Sequence, residues 1–190
     1  MNQVFNNMTI RFDDVCVNAD MHSLNEMSSF AHELGAKIIY CISPIVQNMS
    51  NVGHQKERQR IYPKIWNAMS DHRQFYKADI AAIPEIPGYV EKASHGLIHV
   101  DHRLLKKSAQ EMSILVSCSL SKSNIFVPPF NKWNKNTEKI CRSNNIELVK
   151  FEDGWKCMEY NKFDSSISKW YLHHREFTVA AFKRWFEIEK

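Results

Sequence analysis

The chain has little that would mark a membrane protein, a disulfide scaffold or a nucleic-acid surface. Its five cysteines, Cys16, Cys41, Cys118, Cys141 and Cys157, are scattered, odd in number and never form Cys-x-x-Cys. That pattern argues against a disulfide frame or a zinc knuckle and reads as free thiols in a reducing compartment, most of them small buried apolar groups. No apolar run approaches the roughly 18 residues of a membrane-spanning helix. The opening MNQVFNNMTIRF lacks a basic segment followed by an apolar one, so no signal peptide is expected and the reading is cytoplasmic. The net charge of +4 is mild. The most basic stretches, His54 to Arg60 and Arg103 to Lys107, are too short for a nucleic-acid stripe, so no nucleic-acid partner is expected. There are no internal repeats and no low-complexity tracts.

What is present is enough apolar material for a core. Hydrophobic residues make up 44% and aromatics 12% of 190 residues, which suits one domain spanning residues 1–190. Met8 to Phe12 reads as a strand that stops at Asp13-Asp14. Met21, Leu24, Met27, Ala31 and Leu34 recur at helical spacing, with Gly35 where a helix end favours a left-handed residue. Lys37 to Val46 is β-branched and apolar, the mark of a strand buried on both faces. A strand, a helix and a strand in this span make a parallel βαβ unit.

Gln47 to Pro87 is a polar excursion with a short helix expected around Arg60 to Met69. Tyr89 to Val100 is a strand running into a loop. A helix follows, with Ser108 and Glu111 as a capping box and Met112, Leu115, Val116 and Leu120 as its apolar side. Further strands are expected at Asn124 to Val127, Ile146 to Phe151 and Ser168 to His173. Helices are expected at Thr137 to Asn144 and Thr178 to Glu189, the last with Val179, Phe182, Trp185 and Phe186 facing inward. The alternation gives an α/β class with a barrel-like sheet.

Asp13 and Asp14 offer two carboxylates at a strand end. In regular strand geometry they point to opposite sides, and a turn is needed to bring both to one mouth. Taken alone, the pair also fits an Asx turn and the cap of the helix that begins near Asp20. His95 and His99 change the balance. An i, i+4 pair lies on one face of a strand or a helix, and neutral imidazole is a common ligand for zinc and similar ions. Asp101 and His102 could orient an imidazole from behind or be solvated loop residues, and solvation is the default. Trp170-Tyr171-Leu172-His173-His174 ends a late strand, where one histidine could act as a general acid. Glu152-Asp153 could orient that acid or simply form a polar loop. Phe126 to Asn131 ends a strand in a stiff Pro128-Pro129 turn.

The order F-D-D, S-H-G-x-x-H, F-x-P-P and a terminal hydrophobic-L-H resembles the polysaccharide deacetylase family, the NodB-homology carbohydrate esterases, over roughly Thr9 to His174. Ala93 to Arg103 looks like the metal-binding motif of members found among bacterial surface-polysaccharide genes. The resemblance implies a distorted (β/α) barrel of the polysaccharide deacetylase type, removing acetyl from an N-acetyl sugar with one divalent ion, zinc first and cobalt, nickel or manganese next. It implies Asp13 as general base, Asp14, His95 and His99 as metal ligands, and His173 as the acid with His174 in reserve. It also implies a groove wall at Pro129 and Phe130 whose backbone helps hold an oxyanion, with His174 beside the substrate. The expected substrate is an N-acetylated sugar, free, nucleotide-linked or lipid-linked.

The chain departs from the family pattern in three places. Arg11 stands where the family has Thr, Val15 where it has Gly, and no Arg precedes Pro128 to pair with the base, leaving Lys132 or Arg11 for that task. These departures keep a second reading open, a deacetylase-fold carbohydrate-binding protein with weak or no catalysis. Phosphoester hydrolysis is a third, for which a second metal cluster would be expected. Tyr89, Phe130, Trp133 and Trp155 are candidate stacking rings for a sugar, or core.

Overall fold

A computed structural model describes residues 5–16, 19–44, 85–97, 99–173 and 177–187. Most of the polar excursion, including the helix expected around Arg60 to Met69, lies outside the described residues, as does His174. Among the described residues, seven strands form one sheet: β1 (Thr9–Val15), β2 (Lys37–Ile42), β3 (Val90–Ser94), β4 (Ile125–Phe126), β5 (Glu147–Leu148), β6 (Lys156–Cys157) and β7 (Lys169–His173). Their spatial order is β5-β4-β3-β2-β1-β7-β6, and every neighbouring pair is parallel. The sheet curls into a half-barrel with, among the described residues, four helices, α1 (Met21–Glu33), α2 (Lys107–Ser121), α3 (Lys135–Ser143) and α4 (Val179–Glu187).

The two faces of the central strands carry different cores, as period-2 alternation requires. Ile10, Phe12, Ile38, Tyr40 and Ile42 pack with Leu24, Met27 and Ala31 of α1 and Phe182, Trp185 and Phe186 of α4. Ile39, Cys41, Ala93, Ile125, Val127, Val149 and Trp155 make the other cluster, against which Tyr171 packs. Helix α1 starts where expected, with the Asp20 carboxylate accepting from Ser23 N at 3.2 Å. It stops at Gly35, whose φ of 97° only glycine adopts without strain. All five cysteines are buried free thiols.

Several expectations need correction. Strand β1 does not end at the Asp pair but continues to Val15. Helix α2 begins at Lys107, one residue before the expected capping serine, and Lys106 at its start makes no side-chain cap. Its sheet-facing surface is not the Met-Leu-Val stripe but Ala109, Gln110, Ser113, Ile114, Ser117, Cys118 and Ser121. Small serines allow close approach to the sheet, and their hydroxyls are satisfied locally: Ser117 Oγ donates to Ser113 O at 2.6 Å and Ser121 Oγ to Ser117 O at 2.8 Å. Met112, Val116 and Leu120 instead flank a smaller cluster with Leu97, Val100 and Leu105. The strand expected over Ile146 to Phe151 shrinks to β5 because Phe151 enters a tight turn closed by Gly154 at φ 92°. Strand β6, two residues long, carries no periodic signal and was not expected.

Candidate active site

Parallel strands bring their C-terminal ends to one edge, and the chemistry gathers there. Along β1, Phe12 pairs with Tyr40 and Val15 with Ile42, so three steps on β1 oppose two on β2. That is a one-residue bulge at Asp13-Asp14, and Asp14 takes a φ of 62°, costly for a non-glycine residue. The bulge breaks the alternation that would send the two carboxylates to opposite faces. Asp14 Oδ1 lies 3.0 Å from His99 Nε2 and 3.5 Å from His95 Nε2. One ligand atom from each of the three residues falls within 4.8 Å of the others.

These donors fit a divalent cation. Nitrogen and carboxylate ligands about 2.0–2.2 Å from a tetrahedral ion stand roughly 3.3–3.5 Å apart. Asp14 Oδ1 is buried yet makes no hydrogen bond. The His95 Nδ1 bond to Val127 O at 2.8 Å directs Nε2, as the unprotonated nitrogen, toward the carboxylate. Burial holds His99 down at about 4, hence neutral. Burial alone would raise the Asp14 carboxyl, but His99, His95 and His173 outweigh it and hold it below the usual range. The neutral His99 imidazole, the ionised Asp14 carboxylate and the His95 Nε2 turned toward them each offer a ligand atom. Two imidazoles and one carboxylate oxygen suit zinc and its late first-row neighbours.

Asp13, 2% exposed, turns to a different partner. Arg11 Nε and Nη2 donate to its two oxygens at 2.8 and 2.9 Å. The guanidinium carbon lies 4.7 and 4.9 Å from the ring centroids of Trp155 and Tyr171. Arg11, not Lys132, is therefore the basic partner of Asp13. Residues i and i+2 share a strand face, so the pairing was legible in Arg11-x-Asp13.

His173 lies directly beside Asp13 in the β1–β7 register. Its backbone N donates to Glu159 Oε1 at 2.6 Å, and its Nδ1 lies 3.1 Å from the same oxygen. Burial disfavours the imidazolium, but the Glu159 bond and the charges of Asp14 and Asp13 lift His173 to about 9. The carboxylate that holds His173 is Glu159, which sequence reasoning missed. Asp153 instead accepts from Lys150 N. Nothing in the sequence marked Glu159, because it follows the unrecognised two-residue strand β6.

Pro129 is buried, and the Phe130 ring sits 4.3 Å from that of His99. Asp101 and His102 are not solvated. Asp101 is tied to Arg103, and the fully buried His102 spends its ring nitrogens on Val100 O and Ser113 Oγ. Neither supports a ligand: the carbonyl of Val127 performs the orienting role first weighed for them. Trp155 is core beside Arg11, and Tyr89 lies far from the mouth, stacked on His32 of α1.

No family model matches the sequence, and no curated protein matches it. Solved structures do. A family 4 carbohydrate esterase from Streptomyces lividans, in complex with acetate, superposes with a TM-score of 0.51 at 12% identity, covering 95% of this chain and 85% of that one. A variant of the family 4 pseudoenzyme BA3943 with restored activity gives 0.57 at 11% identity over 95% of this chain and 61% of that one. The peptidoglycan N-acetylglucosamine deacetylase Bc1960 gives 0.51 at 12% identity over 95% and 80%. The half-barrel built from these strands is thus the fold of the family 4 carbohydrate esterases, the NodB-type polysaccharide deacetylases.

Proposed function

We propose that this chain, as a single domain over residues 1–190, is a metal-dependent N-deacetylase that hydrolyses the acetamide of an N-acetyl sugar. One observation carries the reading. A cation-ready triad (Asp14, His95, His99) stands beside a carboxylate clamped by Arg11, Asp13, and an imidazole held protonated by Glu159, His173. A carboxylate and an imidazolium side by side at one mouth supply an acceptor and a donor of protons.

Asp14, His95 and His99 would hold one divalent ion, zinc by donor type, which supplies Lewis acidity toward the acetyl carbonyl and the attacking water. Asp13 takes a proton from that water as the C–O bond forms. His173 delivers its proton to the amide nitrogen as the C–N bond breaks, so the products are acetate and a free amine. Asn131 N and Lys132 N are spent on Pro128 O and Pro129 O, so Phe130 N–H is the turn's donor for the oxyanion. Pro129 and Phe130 wall the groove, with His174 assigned beside the substrate. The Ala93 to Arg103 resemblance supports a sugar intermediate of surface-polysaccharide synthesis, handled in the cytoplasm. Among the described residues, no helix is long and apolar enough to cross a membrane.

The test is acetate release from a panel of free, nucleotide-linked and lipid-linked N-acetyl sugars, run with metal analysis. Zinc at one equivalent with acetate release supports the proposal, and absence of bound metal sinks it. A second reading is favoured by the pseudoenzyme among the structural neighbours: a carbohydrate-binding protein of the same fold. Bound zinc with no acetate from any sugar would select it.

A further inference from the structure

The Phe126 to Asn131 segment does more than end β4. Phe130 and Asn131 occupy left-handed backbone in succession, φ 58° and 53°. A left-handed aromatic is strained, and two such residues together persist only where side-chain contacts hold them. The Phe130 contact is the His99 ring. The Asn131 contact is Arg11: its Oδ1 accepts from Nη2 at 2.9 Å. The same nitrogen donates to Asp13 Oδ2 at 2.9 Å. The guanidinium, fully buried against the Trp155 and Tyr171 rings, is thus held by Asp13 and by Asn131. A planar fork with one bidentate partner can still swing about that partner, and a second acceptor removes the freedom.

We infer that Asn131 is a positioning residue for the reaction: through Arg11 it sets the direction of the Asp13 carboxylate and ties the base to the turn that walls the groove. The inference rests on the reading of Asp13 as base. Asn131 touches Arg11 rather than the reacting atoms, and it acts only through that contact.

The backbone and side-chain roles separate cleanly. Asn131→Gly keeps a left-handed position, which glycine favours, and deletes the acceptor. Asn131→Ala deletes the acceptor and also penalises the backbone. In Asn131→Gly we expect a melting temperature lower by a few degrees with folding retained, unchanged zinc stoichiometry, KM within about twofold, and kcat lower by about tenfold, the scale of one hydrogen bond to a charged group. The Arg11 side-chain N–H signals, resolved by hindered rotation in the wild type, should broaden, and a crystal structure should show the Asp13 carboxylate turned. Full kcat in Asn131→Gly overturns the inference, as does lowered kcat with Arg11 signals and Asp13 unmoved. If the wild type releases no acetate from any sugar, the proposed function fails instead. The NMR and crystallographic arms then still decide whether Asn131 orients Arg11 and Asp13.

Discussion

Replacing Arg11 with methionine keeps the side chain's bulk against Trp155 and Tyr171 and removes its charge. Asp13 is then left 2% exposed, without the two nitrogens now at 2.8 and 2.9 Å from its oxygens. Breaking a buried pair from one side typically costs about 3–5 kcal/mol, because the surviving charge is desolvated and alone. Small domains have about 5–15 kcal/mol in total, so Arg11→Met should be severely weakened but foldable. At about 2–4 °C per kcal/mol for a chain of this size, the melting temperature should fall by roughly 6–20 °C. The decisive comparison is a cycle. Asp13→Asn in the Arg11→Met background removes the stranded carboxylate, so the double variant should recover about 2 kcal/mol relative to additivity. Urea titration followed by near-ultraviolet circular dichroism measures all four proteins. A melting temperature for Arg11→Met within about 2 °C of wild type, or a double variant losing the full sum of the single losses, would refute the reasoning.

His95→Ala should abolish stoichiometric zinc uptake in equilibrium dialysis, since Asp14 and His99 alone leave two ligands. Asp13→Asn should bind zinc as the wild type does and lose about 10²–10⁴-fold in acetate release, the usual cost of a missing base. Glu159→Gln should shift the alkaline limb of the rate profile downward. His173 donates only while protonated, and Glu159 heads the interactions that hold it up at about 9. In stability the sign is the same. A raised histidine contributes fully below its unfolded value of about 6.5 and loses that contribution as pH rises through about 9, so wild type and Glu159→Gln should converge across that window in thermal melts. Gly35→Ala should cost about 1 kcal/mol or more in urea, because φ 97° disfavours any Cβ and the added atom would meet the Asn6 side chain.

The large features were legible because they rest on periodicity and on residue type. The βαβ opening, the inner stripe of α4 and the convergence of Asp14 with His95 and His99 follow from apolar spacing and from two motifs whose chemistry is specific. What stayed hidden depends on contacts between segments distant in sequence. Glu159 reaches His173 across fourteen positions from the turn after a strand of two residues, too short to leave an alternation. The buried seam of α2 includes three serines, which a hydrophobicity reading sends to solvent, yet the Ser117 and Ser121 hydroxyls bond back into the helix. Asp101 and His102 looked like loop residues because nothing in sequence shows that Ser113, eleven positions on in α2, meets the imidazole. The bulge at Asp14 was unreadable for a different reason. It is a mismatch of one residue between β1 and β2 and exists only in their pairing.

The halves of the mouth differ in mechanical support. The cation-binding half hangs from β1 and β3, interior members of the sheet, each flanked on both sides. The proton-donating half depends on Glu159, just beyond β6, a two-residue strand at the sheet's margin. Marginal strands fray first. Warming should therefore loosen the donor's anchorage well before the ion's nest, and amide exchange at residues 156–160 should outpace that of β1 under mild heating.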